Sequence, residues 1–238
     1  MRLLEVCCGE NSSWSKAGQE LGFECTRLDW SEKVAPDILM DVRDYAAPEG
    51  YYDIVAASPD CRELSRARSK KGNTEFADEV AQACVRLCSQ AKVLGVLENP
   101  LGALDRREWM QALEGKKHVV DYCMYSGPKP SDFEVTTAGK QQLEQWFPYR
   151  KRTTLWLFGP NRWSPSRPLC NRGEHCEWLI DKKHYCWAQH TTEYKAQCKR
   201  HCLPYSLSTA QLHRIPQKLC TEILGLARQE KREEGGEH

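Results

Sequence analysis

The run Tyr52-Asp53-Ile54-Val55-Ala56-Ala57 has almost no polar alternation, and that excludes most sheet architectures. A strand wetted on one face alternates apolar and polar residues. One that is apolar on both faces belongs in a sheet covered from both sides, as in α/β proteins with parallel strands. Pro59 stops the run and Cys61 follows it. In open parallel sheets ligands bind beyond the carboxyl ends of strands, so Cys61 lies where chemistry usually happens. It reads as a nucleophile; the competing reading is a buried core cysteine.

Similar short apolar runs recur along the chain. Residues 3–6, 23–28, 38–40, 93–97, 119–125 and 154–158 read as further strands, and helical stretches separate several of them. Between Phe76 and Ala91 the apolar positions Phe76, Val80, Cys84, Leu87, Cys88 and Ala91 form a stripe at helical period, which predicts a helix facing the sheet and makes Cys84 and Cys88 core residues. About seven strands alternating with helices predict a doubly wound, Rossmann-like α/β sheet. At 238 residues the chain can form one such domain and a small appendage.

Strand ends concentrate the candidate residues. After the first strand comes Cys7-Cys8-Gly9-Glu10-Asn11, a glycine turn leading into a helix to about residue 21, where the backbone can approach a ligand and the helix start offers amide donors. Asp29 ends the second strand, twenty positions after Gly9, at the separation of a ribose-binding carboxylate. Asp41 follows the third strand, and Glu98-Asn99-Pro100 follows the strand at 93–97.

The near-neutral net charge of +1 hides a local excess. From Arg150 to Cys202 there are eleven Lys plus Arg against four Asp plus Glu, which suits a polyanionic partner. The same region holds Cys170, Cys176, Cys186, Cys198 and Cys202 with four histidines. This density suggests a metal site, although the spacings fit no standard zinc motif. Cys170, Cys176 and His184 are the predicted zinc ligands, with the fourth open among Cys186, Cys198 and Cys202. The alternative is a cysteine-rich lobe of free thiols. With no apolar run long enough to span a bilayer and no secretory pattern at the start, the expectation is an intracellular protein, reduced thiols and no membrane partner.

Four segments together carry a resemblance: Glu5-Val6-Cys7-Cys8-Gly9, Ser58-Pro59-Asp60-Cys61, Glu98-Asn99-Pro100 and Pro148-Tyr149-Arg150-Lys151-Arg152-Thr153, joined near the end by Arg214-Ile215-Pro216. In this order they resemble the DNA cytosine-5 methyltransferases, most closely the short phage and large-virus type. The resemblance covers about residues 2–160 and 212–223. It implies S-adenosylmethionine as methyl donor, DNA as substrate and a Rossmann-like methyltransferase sheet. Cys61 would add to cytosine carbon 6, Glu98 would hold the base at ring nitrogen 3 and the exocyclic amine, and Arg150 and Arg152 would clamp the substrate. Asp29 would hold the cofactor ribose and Asp41 the adenine amine, with Glu5, Cys7, Gly9, Trp30, Val42, Ser58 and Pro59 on the same cofactor surface.

Departures from the family pattern are equally specific. Cys7 stands where an adenine-stacking aromatic is usual, Asn11 where a second glycine is, and Asp60 where proline precedes the nucleophile. The first two leave a choice between weaker cofactor binding and Trp14 taking over the stacking. Asp60 opposes thiol ionisation, while Arg62, Arg66 and Arg68 favour it. The expected organisation is a catalytic core at 1–160, a basic Cys/His-rich lobe at 161–208 that reads the target, and a helical segment at 209–238 returning to the core. Trp163, Trp178 and Trp187 would either surround a metal or stack on bases. An RNA cytosine-5 methyltransferase, or a weakly catalytic nucleic-acid-binding protein of the same fold, are the competing functions.

Overall fold

The computed structural model describes residues 1–62, 73–113, 115–127, 146–160, 162–173, 175–180, 182–184 and 212–235. Among them, seven strands form one sheet: β1 (Arg2–Val6), β2 (Glu24–Asp29), β3 (Ile38–Leu39), β4 (Ile54–Ala57), β5 (Leu94–Pro100), β6 (Lys116–Asp121) and β7 (Arg152–Phe158). Their order is β3-β2-β1-β4-β5-β7-β6. The pairings of β1 through β5 are parallel, while β7 runs antiparallel to both β5 and β6. This is the mostly parallel, doubly wound Rossmann-like sheet that the apolar runs predict. The chain reverses its direction of travel across the sheet between β1 and β4, which opens a crevice at their carboxyl ends.

Helices cover both faces. α1 (Ser13–Glu20) and α4 (Gln217–Gly235) pack on one side, where Trp14, Leu219, Ile223 and Leu224 are fully buried with Leu3, Ile54 and Val96. α2 (Thr74–Ser89) and the short α3 (Glu108–Gln111) cover the other, burying Ala77, Ala81, Cys84, Leu87, Cys88 and Met110 against Leu4, Val55 and Leu97. Cys84 and Cys88 are core residues, as the stripe predicts. Phe76 is not: it is 40% exposed in the first turn of α2, beneath the Arg43 guanidinium at 4.5 Å. Aromatic area covered by a cation leaves the periodic pattern intact without reaching the sheet.

Two expected strands differ in extent. β5 continues through Glu98, Asn99 and Pro100, because β7 pairs with all three. β6 stops at Asp121, and Tyr122–Tyr125 turns off in a 3-10 helix whose side chains Tyr122, Cys123 and Tyr125 are nonetheless buried. α4 runs on to Gly235, and Lys231 with Asp53 and Arg228 with the Leu21 carbonyl tie its later turns to the sheet and to α1. Beyond β7, Trp163, Cys170, Cys176 and Trp178 join the α1/α4 core. No described helix is long and apolar enough to cross a membrane.

Candidate active site

The sheet register brings the predicted segments to one edge. Val6 and Ala57 are partners, as are Ala57 and Leu97, so the loops after β1 and β4 lie beside the last residues of β5. The Ser58 amide donates to the Val6 carbonyl at 3.1 Å, fastening the Cys61 loop to β1. On its other side the Asn99 side chain donates from Nδ2 to the Pro59 carbonyl at 2.9 Å, with Asn99 buried. The Asn99 amide thus satisfies a loop carbonyl beyond the end of β4. It fixes Cys61 relative to the neighbouring Glu98.

Glu98 is buried, and the Tyr122 hydroxyl donates to its Oε1 at 2.6 Å. Lys151 Nζ lies 3.8 Å from the same oxygen and 5.0 Å from the centre of the Tyr122 ring. Burial pushes the Cys61 thiol pKa up; the Lys151 charge pulls it down, and the Glu98 and Asp60 charges push it up again. Asp60 is engaged by Arg62, which donates from Nε to Oδ2 at 2.7 Å and from its amide to Oδ1 at 2.9 Å. Burial raises the Asp60 pKa, but these contacts hold it below the ordinary value. The residue whose charge opposes the thiolate is therefore itself compensated by Arg62, one of the three arginines expected to do so; Arg66 and Arg68 lie outside the described residues.

The arginines on either side of Lys151 do something different. Arg152 forks Asp121 with both carboxylate oxygens, Nε to Oδ1 at 3.0 Å and Nη2 to Oδ2 at 2.8 Å. Arg150 is exposed. It is the middle residue of Arg-Lys-Arg that reaches the Cys61/Glu98 group. Sequence reading missed Lys151 and Tyr122, and it also missed His213. Partial desolvation, followed by the Lys151 charge, lowers the His213 pKa, while Asp60, Arg62 and Glu98 also act on it. Neither the Lys between two arginines nor the Tyr after a strand announces this role; the pairing of β7 with β5, and of β6 with β7, places them.

At the β1 side, Cys7 and Gly9 both take left-handed backbone conformations, φ 54° and 55°, as does Ser12 at 44°. Gly9 meets that demand without a side-chain penalty, and nothing lies within 4 Å of where its Cβ would be. Asp29 Oδ2 accepts from the Gly9 amide at 3.0 Å and its Oδ1 from the Ser31 amide at 3.0 Å, holding the two loops together. Trp30 is 71% exposed beside it. Trp14, in contrast, is fully buried on the core face of α1 and presents no open face; Trp30 is the exposed aromatic at this edge among the described residues. Asp41 is held by the Arg43 side chain in three contacts at 2.8–3.2 Å, next to the buried Val42. Glu5 is inside the protein, its Oε1 and Oε2 accepting from the Trp14 and Ser15 amides at 3.1 and 2.9 Å. It occupies amide donors at the start of α1 that the sequence offers to a ligand. Ser58 Oγ is buried with no hydrogen-bond partner among the described residues.

A second cluster lies past Asp121. Cys123, Cys170, Cys176 and His184 are all buried, and their ligand atoms lie within 4.8 Å of one another. The three residues named from sequence converge, but the group that completes them is Cys123, forty-seven positions before Cys170, in the turn after β6. Spacing within the Cys-rich segment could not reveal it. Cys186, Cys198, Cys202 and Trp187 lie outside the described residues. Trp163 and Trp178 are buried, and Trp163 donates from Nε1 to Glu222 at 2.9 Å.

No protein-family model matches the chain, and no curated protein matches it. Among solved structures, a mutant of DNMT2 from Spodoptera frugiperda is 10% identical, with 95% of this chain and 99% of that one covered and a TM-score of 0.48. A SAM-dependent methyltransferase from Archaeoglobus fulgidus is 16% identical, covering 66% of this chain and 84% of that one, with a TM-score of 0.38.

Proposed function

We propose that this protein is an S-adenosylmethionine-dependent methyltransferase acting on carbon 5 of cytosine in DNA. The observation that carries the reading is the Asn99 to Pro59 hydrogen bond, which fastens the loop of Cys61 to the strand that carries the buried Glu98 carboxyl, whose charge acts on the thiol. Cytosine carbon 5 becomes nucleophilic only after a thiolate adds to carbon 6. Cys61 forms that sulfur–carbon bond, and Lys151 favours the thiolate that forms it. Glu98, oriented by Tyr122, holds ring nitrogen 3 and the exocyclic amine as charge develops on the ring. Arg150 is exposed for the carbonyl oxygen or the phosphate backbone. Arg152 is forked to Asp121 at the start of β7 and keeps guanidinium donors beyond that fork for the base. Loss of the carbon 5 proton to a base then breaks the sulfur–carbon bond and frees the thiolate.

Residues on the β1 and β2 side fit the methyl donor. Space is open in front of Gly9, Trp30 offers an aromatic face, Asp29 stands at the end of β2 with lone pairs beyond those its backbone contacts use, and Ser58 Oγ is a buried hydroxyl without a partner. S-adenosylmethionine supplies the electrophilic methyl group there. In duplex DNA the target base must leave the stack to reach Cys61, at a cost of a few kcal/mol.

Mechanism-based trapping tests this reading. DNA and RNA oligonucleotides containing 5-fluorocytosine are incubated with the protein and S-adenosylmethionine, and denaturation-resistant adducts are mapped by peptide mass. Fluorine cannot leave as the proton does, so an adduct at Cys61 on DNA, absent in Cys61→Ala, is the expected result. An adduct on RNA alone would replace DNA as the substrate. Absence of adduct on both, with cofactor binding measured separately, would leave a nucleic-acid-binding protein without the carbon 5 chemistry.

A further inference from the structure

We infer that Cys123, Cys170, Cys176 and His184 bind one zinc ion, and that the ion clasps the segment after β7 onto the catalytic sheet. This does not depend on the methyltransferase reading. Zinc bound by sulfur at about 2.3 Å and imidazole nitrogen at about 2.0–2.1 Å in a tetrahedron puts ligand sulfur and nitrogen roughly 3.6 Å apart. Both Cys170 Sγ and Cys176 Sγ lie 3.5 Å from His184 Nε2. All four side chains are buried, and three thiols with one imidazole is a zinc donor set, sulfur-rich and without an oxygen ligand that would favour magnesium or calcium. A buried imidazole facing two thiols also has a shared partner in the ion, where a hydrogen-bonded arrangement could use its nitrogen only once.

The surroundings support the first ligands as they do in built metal sites. Asp121 is almost wholly buried, and its Oδ2 accepts from the Cys170 amide at 2.9 Å while Arg152 forks both oxygens. One carboxylate thus orients a ligand residue and brings a guanidinium next to a site that would carry a net negative charge with three thiolates. Chain connectivity gives the clasp its meaning. Cys123 belongs to the sheet side, immediately after the Tyr122 that holds Glu98, whereas Cys170, Cys176 and His184 come from the segment beyond β7. The small hairpin of β8 (Leu179–Ile180) and β9 (Lys183–His184) delivers the histidine. The ion therefore fixes the turn that positions the Glu98 partner as well as the segment that packs over it.

The test begins with the full-length wild-type protein. Elemental analysis is expected to give one zinc per chain, and X-ray absorption to give three sulfurs and one nitrogen around it. Chelation should then expose Cys123, Cys170 and Cys176 together to alkylation, read by peptide mapping, with the same three protected before chelation. Cys123→Ser is expected to lower zinc affinity at least tenfold, while Cys25→Ser leaves the stoichiometry unchanged. Zinc-free protein after expression and dialysis against zinc overturns the inference. So does a zinc site in which chelation leaves Cys123 unlabelled and releases another cysteine in its place, an outcome readable in the wild type even if Cys123→Ser fails to fold.

Discussion

Lys151 shows how one residue's register decides chemistry. The motif Pro-Tyr-Arg-Lys-Arg-Thr draws attention to its two arginines, yet it is the lysine whose ammonium lies 3.8 Å from Glu98 and acts on Cys61. Burial raises the Cys61 pKa, and of the charges acting on it Lys151 lowers it while Glu98 and Asp60 raise it. Removing each should therefore move thiol reactivity in opposite directions. Lys151→Met is expected to slow alkylation of Cys61 several-fold at neutral pH and to move its pH profile upward; Glu98→Gln should speed alkylation and move the profile downward, because only thiolate reacts. Equal profiles for the two variants would mean that neither charge reaches the sulfur. The residue identities of this site were half legible. Cys61 and Glu98 follow apolar runs that the sequence announces, but Tyr122 just after β6 and Lys151 just before β7 reach the site through the pairing of β7 with β5 and β6, and strand pairing leaves no mark in local sequence.

At the scale of elements, the apolar stripe of α2 correctly foretold a helix on the sheet, and its closeness to the sheet rests on Gly95. A Cβ at that position would stand 2.2 Å from the Cys88 carbonyl oxygen, with backbone on one side and β5 on the other. Neither can yield as a flexible side chain would. Gly95→Ala should therefore cost about 3 kcal/mol, at the upper end of overpacking penalties, read as a lowered urea midpoint with an unchanged slope. A change near zero would mean that α2 rides further from the sheet than its buried cysteines indicate. The same element explains where sequence reading of β5 fell short. Residues 93–97 are apolar and end at a charged residue, the usual mark of a strand's limit, but β7 extends the pairing through Glu98, Asn99 and Pro100. Pairing with a segment more than fifty residues later turned an apparent loop carboxylate into one held rigidly by a strand. That rigidity is what lets Asn99 fasten the Cys61 loop.

For the whole molecule, the fold class could be read because buried strands announce themselves by composition, while the clasp between segments could not, because Cys123 and Cys170 meet only after β6 and β7 have paired. Glu5 connects the same global packing to pH. Its carboxyl is enclosed between β1, α1 and the α4 side of the core, and burial, only partly offset by hydrogen bonds from Ser15 and Trp14, raises its pKa from 4.5 to about 7. Between those two values the folded protein holds a proton that the unfolded chain has released. Unfolding free energy then falls as pH rises. The contribution is fully present below about pH 4.5 and is lost as pH rises through 7, amounting to about 3 kcal/mol if the unfolded chain titrates at the ordinary value. Glutamine cannot titrate and keeps one acceptor oxygen for the α1 amides. Denaturant unfolding of wild type and Glu5→Gln at about pH 4.5 and about pH 8 should show the wild type losing roughly 3 kcal/mol relative to the variant across that interval. Because every other titrating group is common to both proteins, a constant difference at the two pH values would place the Glu5 proton elsewhere and leave α1 capped by a carboxylate that is charged throughout.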